Sequence, residues 1–439
     1  MNTSTRIEGD SLGDVEVPAE RYYGASTARA LRNFQISGVA LSSMRHLIIA
    51  LAEVKIAAAR ANADDGALDP RKLAAIEEAA REIIANELRD EFPIDVFQGG
   101  AGTSTNMNMN EVIANRASEI LGGQRGQDRL VHAHDDVNRS QSTNDAYATA
   151  VRLSMVYGSR LLRKELTALS AVFRDKQLEF AGIAKLGRTQ LQDAVQMTLG
   201  DEFGAFATTL SEDVERLAET EKHLCEINLG GTAIGSGIAA SESYRRNVLP
   251  HLRHVTGLPV ERARDLYEAS WDMGVFMLLS GLLKRTACKL SKIANDLRLL
   301  SSGPTGGIGE IKLPALQPGS SIMPAKVNPV AAEAVNQVCF YVYGLDTTIG
   351  NAAEAGQLQL NAMEPVIAFS LHQALSLLTN VVKSFAETCV RGIEAAPQRC
   401  SHNLGNSSAF ATELVSTIGY EAATVLAKSK LAPGDGAVA

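Results

Sequence analysis

The segment GSSIMPAKVNP (319–329) places two hydroxyls (Ser320 and Ser321), one cation (Lys326) and one amide (Asn328) on a backbone loosened by glycine. Together those groups suit carboxylate binding combined with proton abstraction. A serine hydroxyl has a very high intrinsic pKa, so it serves as a base only where nearby donors stabilise its alkoxide. No other polar segment of the chain carries as much chemistry.

Three further clusters accompany it. QGGAGTSTNMNMNE (98–111) is a glycine-rich turn entering a segment that becomes helical by Val112. Glycines let backbone N–H groups approach a ligand, and a helix N-terminus favours an anion; the plainer alternative is a helix start capped by Thr103 or Thr105. Capping does not account for the alternating Asn106, Asn108 and Asn110, since asparagine is a poor interior helix residue. SQSTND (140–145) stands directly before a helix starting near Ala146, where Ser142, Thr143 and Asn144 can hold a carboxylate or phosphate, or simply cap the helix. In GRTQLQD (187–193), Thr189 and Gln190 line a polar pocket or turn the chain, whereas TLGD (198–201) fits a capping box. His132, His134, Asp135 and Asp136 offer metal-ligand types, but a metal pair of this spacing wants a strand end and further ligands. Neither is evident, and no metal is expected. Dinucleotide, P-loop and nucleophile-elbow motifs are absent.

Proline placement indicates what positions these clusters. None falls between Pro93 and Pro250 or between Pro329 and Pro365, and proline-free stretches permit long helices. Leu283, Ala287, Leu290, Ala294, Leu297 and Leu300 form one apolar helical stripe, and residues 146–180, 199–228 and 331–349 read similarly. Strand patterns are scarce, with Asp14–Val17 and Lys185–Leu191 the candidates. The fold class is mainly α, centred on a bundle of long helices whose apolar faces suggest a homo-oligomer. Residues 301–329, rich in glycine and proline yet holding Ile308, Ile311, Leu313, Ile322, Met323 and Val327, read as one ordered functional loop. The tail after Lys430 is expected to fray.

Composition bounds the partners. The 439 residues are 45% hydrophobic and 21% charged, an ordinary globular profile, and leave room for two or three domains. A net charge of −8 without a basic run argues against nucleic acid or an anionic membrane as main partner. The apolar stretch Met273–Leu283 is too short to span a bilayer, and the polar N-terminus is unlike a secretory signal. Five cysteines without CxxC spacing read as reduced thiols of a cytoplasmic protein.

The loop sequence GSSIMPAKVNP (319–329) resembles the signature of the fumarase/aspartase superfamily. The resemblance runs through VPAERYYGASTARALRNF (17–34), FQGGAGTSTNMNMNEVIANR (97–116), SQSTNDAY (140–147), GRTQLQDAV (187–195), NDLRLLSSGP (295–304) and AEAGQLQLNAMEP (353–365). It implies a three-domain fold: an N-terminal domain (1–141), a central helical-bundle domain (142–395) and a small, shortened C-terminal domain (396–439). It also implies a homotetramer with a twenty-helix core and active sites shared by three chains. By the same resemblance Ser320 is the general base that takes the C3 proton of a small dicarboxylate. Lys326, Asn328 and Thr189 would hold the α-carboxylate, Ser142, Thr143 and Ser321 the β-carboxylate, and Thr103, Asn144 and Gln190 the amino group, with Glu333 behind Gln190. The chemistry requires no cofactor and leaves room for a divalent cation such as Mg as activator.

Within the superfamily, two positions point to the aspartase branch and hence to an ammonia-lyase. Ala101 stands where fumarases resemble a serine-bearing motif, and Gln190 where they carry histidine. Hydroxide needs a proton to leave, whereas an ammonium leaves as neutral ammonia; an amide cannot change protonation near neutral pH, so Gln190 suits ammonia loss. A class II fumarase and a lyase of a substituted aspartate stay open as alternatives. Ala148 and Gln196 replace prolines usual in the family, and His132-Ala133-His134 also departs from its pattern.

Overall fold

The computed structural model describes residues 4–431, and the tail beyond Leu431, expected to fray, lies outside them. The chain is mainly helical. Its longest helices are Thr143–Glu179 (37 residues), Leu199–Leu224 (26), Gly274–Leu300 (27), Val330–Glu354 (25) and Glu364–Thr388 (25). The first four follow the proline-free stretches and apolar stripes of the sequence. Leu283, Ala287, Leu290, Ala294 and Leu297 are at most 1% exposed, so the stripe is a buried face. By length and composition alone, Glu364–Gly392 could cross a membrane. Its Ile367, Ala368, Leu371, Leu378 and Val382 are fully buried, and they serve as core.

Strands occur only as two-stranded pairs among the described residues. Thr5–Asp10 and Gly13–Pro18 form one antiparallel hairpin, and Ala184–Thr189 and Gln192–Thr198 another. Ile311–Lys312 pairs with Glu394–Ala395, which ties the long 301–329 segment to the chain near its C-terminal helices.

The chain divides into two compact units, the first comprising Met1–Leu161, Arg216–Leu283 and Tyr343–Ser376. Its helix Arg45–Asp64 packs on Glu242–Thr256 and Pro70–Ile84. The buried Ala50, Ala52, Ala57, Ala58, Ala59 and Ala61 keep that packing close, and one charged side chain, Lys55, is buried among them. The second unit comprises Leu162–Glu215, Lys284–Val342 and Leu377–Ala439. Phe173, Phe180, Phe203 and Phe206 form an aromatic cluster there, with edge contacts at centroid distances of 5.1 and 5.6 Å. Its hairpin 184–198 packs on the helices Pro397–Gly405 and Ala409–Ile418.

Candidate active site

In the first unit two helix N-termini are brought together. The turn before Thr103–Ile120 passes through Gly102 at φ +86°, and a Cβ there would sit 2.5 Å from the ring of Tyr147 on the helix Thr143–Glu179. Only glycine permits both the backbone angle and the approach. Neither Thr103 nor Thr105 caps this helix, unlike the simplest expectation. The Gln98 Oε1 does so, accepting from the Thr105 N–H at 3.0 Å and its hydroxyl at 2.9 Å. The three asparagines are fully buried and divide their work. Asn108 donates to the Glu91 carbonyl at 2.8 Å, while Asn106 and Asn110 share one helix face and both donate to Asn138 Oδ1 at 3.1 Å.

The segment 142–145 is locked from beneath. The Asp145 carboxylate, fully buried, accepts from the Ser142 N–H at 2.9 Å and from the N–H groups of Gly230 and Thr232, each at 3.0 Å. Burial pushes its pKa up against the pull of those donors. Asn228 donates to the Asn144 carbonyl at 3.0 Å. The glycine-rich loop 228–237 therefore belongs to this site, although the sequence reading passed over it. Its run of glycines between two helical stretches is the signal that could have found it. The buried Asn228 Oδ1 and Thr232 Oγ1 have no partner among the described residues.

Hydrogen-bond accounting sorts the polar side chains by what each has left to offer. The Ser142 Oγ accepts from the Asn144 N–H at 3.2 Å, and the Thr143 Oγ1 accepts from Asn106 Nδ2 at 3.1 Å. Both hydroxyls retain their hydrogen as a donor. Thr103 instead spends its hydrogen on the Gly100 carbonyl at 2.7 Å, and Asn144 Nδ2 donates to the Ala233 carbonyl at 2.6 Å. Thr103 Oγ1 and Asn144 Oδ1 are thereby left as acceptors. One small region holds donors fit for a carboxylate and acceptors fit for an ammonium.

In the second unit Ser320 Oγ accepts from two backbone N–H groups, Met323 at 3.0 Å and Ile322 at 3.2 Å. Donors so placed stabilise negative charge on that oxygen. The loop closes through Gly319 N–H to the Lys326 carbonyl at 2.7 Å and Asn328 Nδ2 to the Gly319 carbonyl at 2.8 Å. Ser321 and Lys326 are exposed, and Ser320 and Asn328 half-buried. Thr189 and Gln190 lie exposed at the tip of the hairpin 184–198. Gln190 and Leu191 sit at φ +54° and +62° between the paired Thr189 and Gln192, a two-residue turn that usually demands glycine or asparagine. Such strain persists only where the surroundings hold it, typically at ligand sites. Behind the tip, the fully buried Glu310 carboxylate accepts from Arg188 at 2.9 Å and Asn403 at 2.9 Å and pairs with Lys185 at 3.1 Å. Within one chain Glu333 makes no hydrogen bond to Gln190; its N–H donates to the Pro329 carbonyl at 3.1 Å. The capping box at Thr198 and Asp201 forms reciprocally at 2.9 and 3.0 Å. His132 and His134 flank and enter a short π-turn, Ala133–Val137, whose Asp136 accepts from the His132 N–H and pairs with Lys72. No group of three or more metal-ligating side chains is placed to hold an ion among the described residues.

Comparison with known proteins agrees with this chemistry. A family described as lyase matches residues 13–344. The aspartate ammonia-lyase of Pseudomonas aeruginosa is 54% identical over 99% of this chain and 92% of its own length. That of Corynebacterium glutamicum is 50% identical over 98% of this chain and 82% of its own. Among solved structures, a fumarate lyase:delta crystallin from Brucella melitensis bound to cobalt is 53% identical, with a TM-score of 0.95 over 98% of this chain and 93% of that one. A class II fumarase from Schistosoma mansoni is 36% identical, with a TM-score of 0.93 over 97% of this chain and 92% of that one. The chain belongs to the fumarase/aspartase superfamily of lyases.

Proposed function

We propose that this protein is an aspartate ammonia-lyase, catalysing the reversible elimination of ammonia from L-aspartate to give fumarate. The observation that carries the reading is the mixture around Thr143: the Ser142 and Thr143 hydroxyls each keep a hydrogen to donate, while Thr103 Oγ1 and Asn144 Oδ1 keep only lone pairs. A dicarboxylate bearing an ammonium asks for that mixture. Malate, with a hydroxyl in place of the ammonium, has less use for two neighbouring acceptors. The 54% identity to an aspartate ammonia-lyase against 36% to a fumarase supports the same choice, as does Gln190, an amide that cannot protonate a leaving hydroxide.

In this mechanism the Ser320 alkoxide takes the C3 proton, and the C–H electron pair passes into an aci-carboxylate that carries two negative charges on one carboxyl group. Ser142, Thr143 and Ser321 donate to that β-carboxylate, while Lys326, Asn328 and Thr189 hold the α-carboxylate. Thr103, Asn144 and Gln190 hold the ammonium. Collapse of the intermediate forms the C2–C3 double bond and breaks the C–N bond, whose electron pair leaves with neutral ammonia. Ser320 then returns its proton to solvent. Donors aimed at developing charge typically contribute about 10²–10³ in rate each. Glu333 lies behind Gln190 from another chain. The groups from residues 103–144, 189–190 and 320–328 meet across the borders of a homotetramer, each site drawing on three chains and each chain contributing its central domain to the shared bundle. The chemistry needs no cofactor, and a divalent cation such as Mg acts only as an activator. Four buried cysteines and one exposed, all unpaired, suit a reducing cytoplasm.

The direct test is a substrate panel. L-Aspartate should yield equal amounts of ammonia and fumarate. Conversion of fumarate to malate without any turnover of aspartate would replace this reading by fumarase, and turnover of only an N-substituted or 3-substituted aspartate would narrow it.

A further inference from the structure

Lys55 is fully buried beside the Thr143 cluster, and no step above uses it. It lies inside the helix Arg45–Asp64 with no exposed surface, and it faces three amide oxygens: Asn106 Oδ1 at 2.7 Å, Gln141 Oε1 at 2.8 Å and Asn138 Oδ1 at 3.1 Å. Among the described residues no carboxylate forms an ion pair with it. Burial pushes its pKa down to about 7, opposed by the charge of Asp145. A buried cation held only by neutral amides costs stability, which asks what it does.

An amide has one acceptor end and one donor end, and an ammonium only donates. The oxygen of Asn106 must therefore turn to Lys55, which forces the NH₂ of the same side chain toward Thr143 Oγ1, 3.1 Å away. With a lone pair of Thr143 engaged by that NH₂, its hydrogen is directed away from Asn106. We propose that Lys55 is a positioning residue: through the Asn106 amide it fixes Thr143 as a hydrogen-bond donor to the substrate carboxylate. The same ammonium holds Asn138 Oδ1, which accepts from the Asn106 NH₂ at 3.1 Å, so without it both amides lose the donor that orients them; Asn106 then flips, and Thr143 donates to its oxygen and is lost to the substrate. The proposal rests on Thr143 binding a carboxylate, as read above.

A double-mutant cycle separates the two. Thr143→Val, Lys55→Met and the double variant are purified as tetramers, and KM for L-aspartate, kcat and Ki for succinate are measured. Thr143→Val should raise KM and Ki by about 10- to 100-fold, the usual worth of a hydrogen bond to a charged group, and lower kcat by about 10²-fold or more, because the same hydroxyl meets the charge that grows in the aci-carboxylate. Lys55→Met should do much the same, and the double variant should be no worse than Thr143→Val. If Thr143→Val leaves KM, Ki and kcat unchanged, the carboxylate role of Thr143 fails. If it changes them but Lys55→Met does not, or if the two effects multiply, the relay through Asn106 fails. Should Lys55→Met not fold, Asn106→Asp keeps the shape and gives the ammonium a counter-ion. A carboxylate only accepts, so Thr143 must donate to it, and KM should rise at least as far as in Thr143→Val; an unchanged KM would overturn the relay.

Discussion

Replacing Ser320 by alanine should remove turnover while leaving substrate binding almost intact. An aliphatic hydroxyl ionises only far above neutral pH. The Met323 and Ile322 N–H groups at 3.0 and 3.2 Å would each favour the alkoxide. At about 1.5–3 kcal/mol per charge-assisted bond they supply together about 3–6 kcal/mol. That favours the alkoxide but still leaves the hydroxyl pKa well above neutral. The loop thus does part of the activation alone, and the Lys326 charge and the donors of neighbouring chains must do the rest. Loss of a general base typically costs about 10²–10⁴ in rate, so kcat of Ser320→Ala should fall by about 10³-fold or more. The carboxylate ligands are untouched, so Ki for succinate should stay within about threefold of wild type. Steady-state release of fumarate, followed by its ultraviolet absorbance, gives kcat, and inhibition by succinate reports the binding site. A variant that keeps a tenth or more of the wild-type kcat would refute Ser320 as the base and leave its two N–H contacts as a turn-capping arrangement.

Other expectations follow from single groups. Lys326 is exposed and makes no ion pair among the described residues, so its charge is available; Lys326→Ala should raise KM by about 10- to 100-fold with a smaller change in kcat. A Cβ at Gly319 would lie 2.5 Å from the Lys326 carbonyl oxygen, so Gly319→Ala must open the loop. Its kcat should drop by about 10-fold or more while the melting temperature hardly moves, since the strain falls on an exposed loop rather than the core. Glu310→Gln leaves Lys185 and Arg188 without their shared buried counter-charge and should lower stability by about 3 kcal/mol in denaturant titration. Burial alone would raise the Glu310 pKa, but Arg188, Asn403 and Lys185 together hold it below the ordinary glutamate range. The stability it contributes is therefore complete above the unfolded pKa of about 4.3 and is lost as pH falls through the depressed value. Wild type should show that acid loss and Glu310→Gln should not.

The long helices were legible because their signals are local. Proline-free stretches and three- and four-residue apolar spacing marked Thr143–Glu179 and Val330–Glu354 within a few residues. The pattern at Lys185–Leu191 marked the first strand of the 184–198 hairpin, although Gln190 and Leu191 proved to be its turn. The polar clusters were legible as clusters, but their division of labour was not. Which of Thr103, Ser142, Thr143 and Asn144 donates depends on partners such as Gly100, Asn106 and Ala233, the last lying 89 positions from Asn144. Lys55 was hidden for a related reason. A lone lysine in an alanine-rich helix looks like a solvated face until Asn106, Asn138 and Gln141 fold over it. The capping of Thr103–Ile120 by Gln98 was missed because side-chain capping by a residue outside the helix has no fixed sequence offset.

Subunit complementation tests the shared dicarboxylate site most directly. Ser320→Ala and Thr143→Val chains, each inactive or nearly so, are unfolded, mixed and refolded together, and ammonia release from L-aspartate is measured. Mixed tetramers should regain activity well above either parent, because some sites then draw an intact Ser320 from one chain and an intact Thr143 from another. Activity no greater than the sum of the parents, in tetramers verified to contain both chains, would mean that the two residues do not meet across a subunit border.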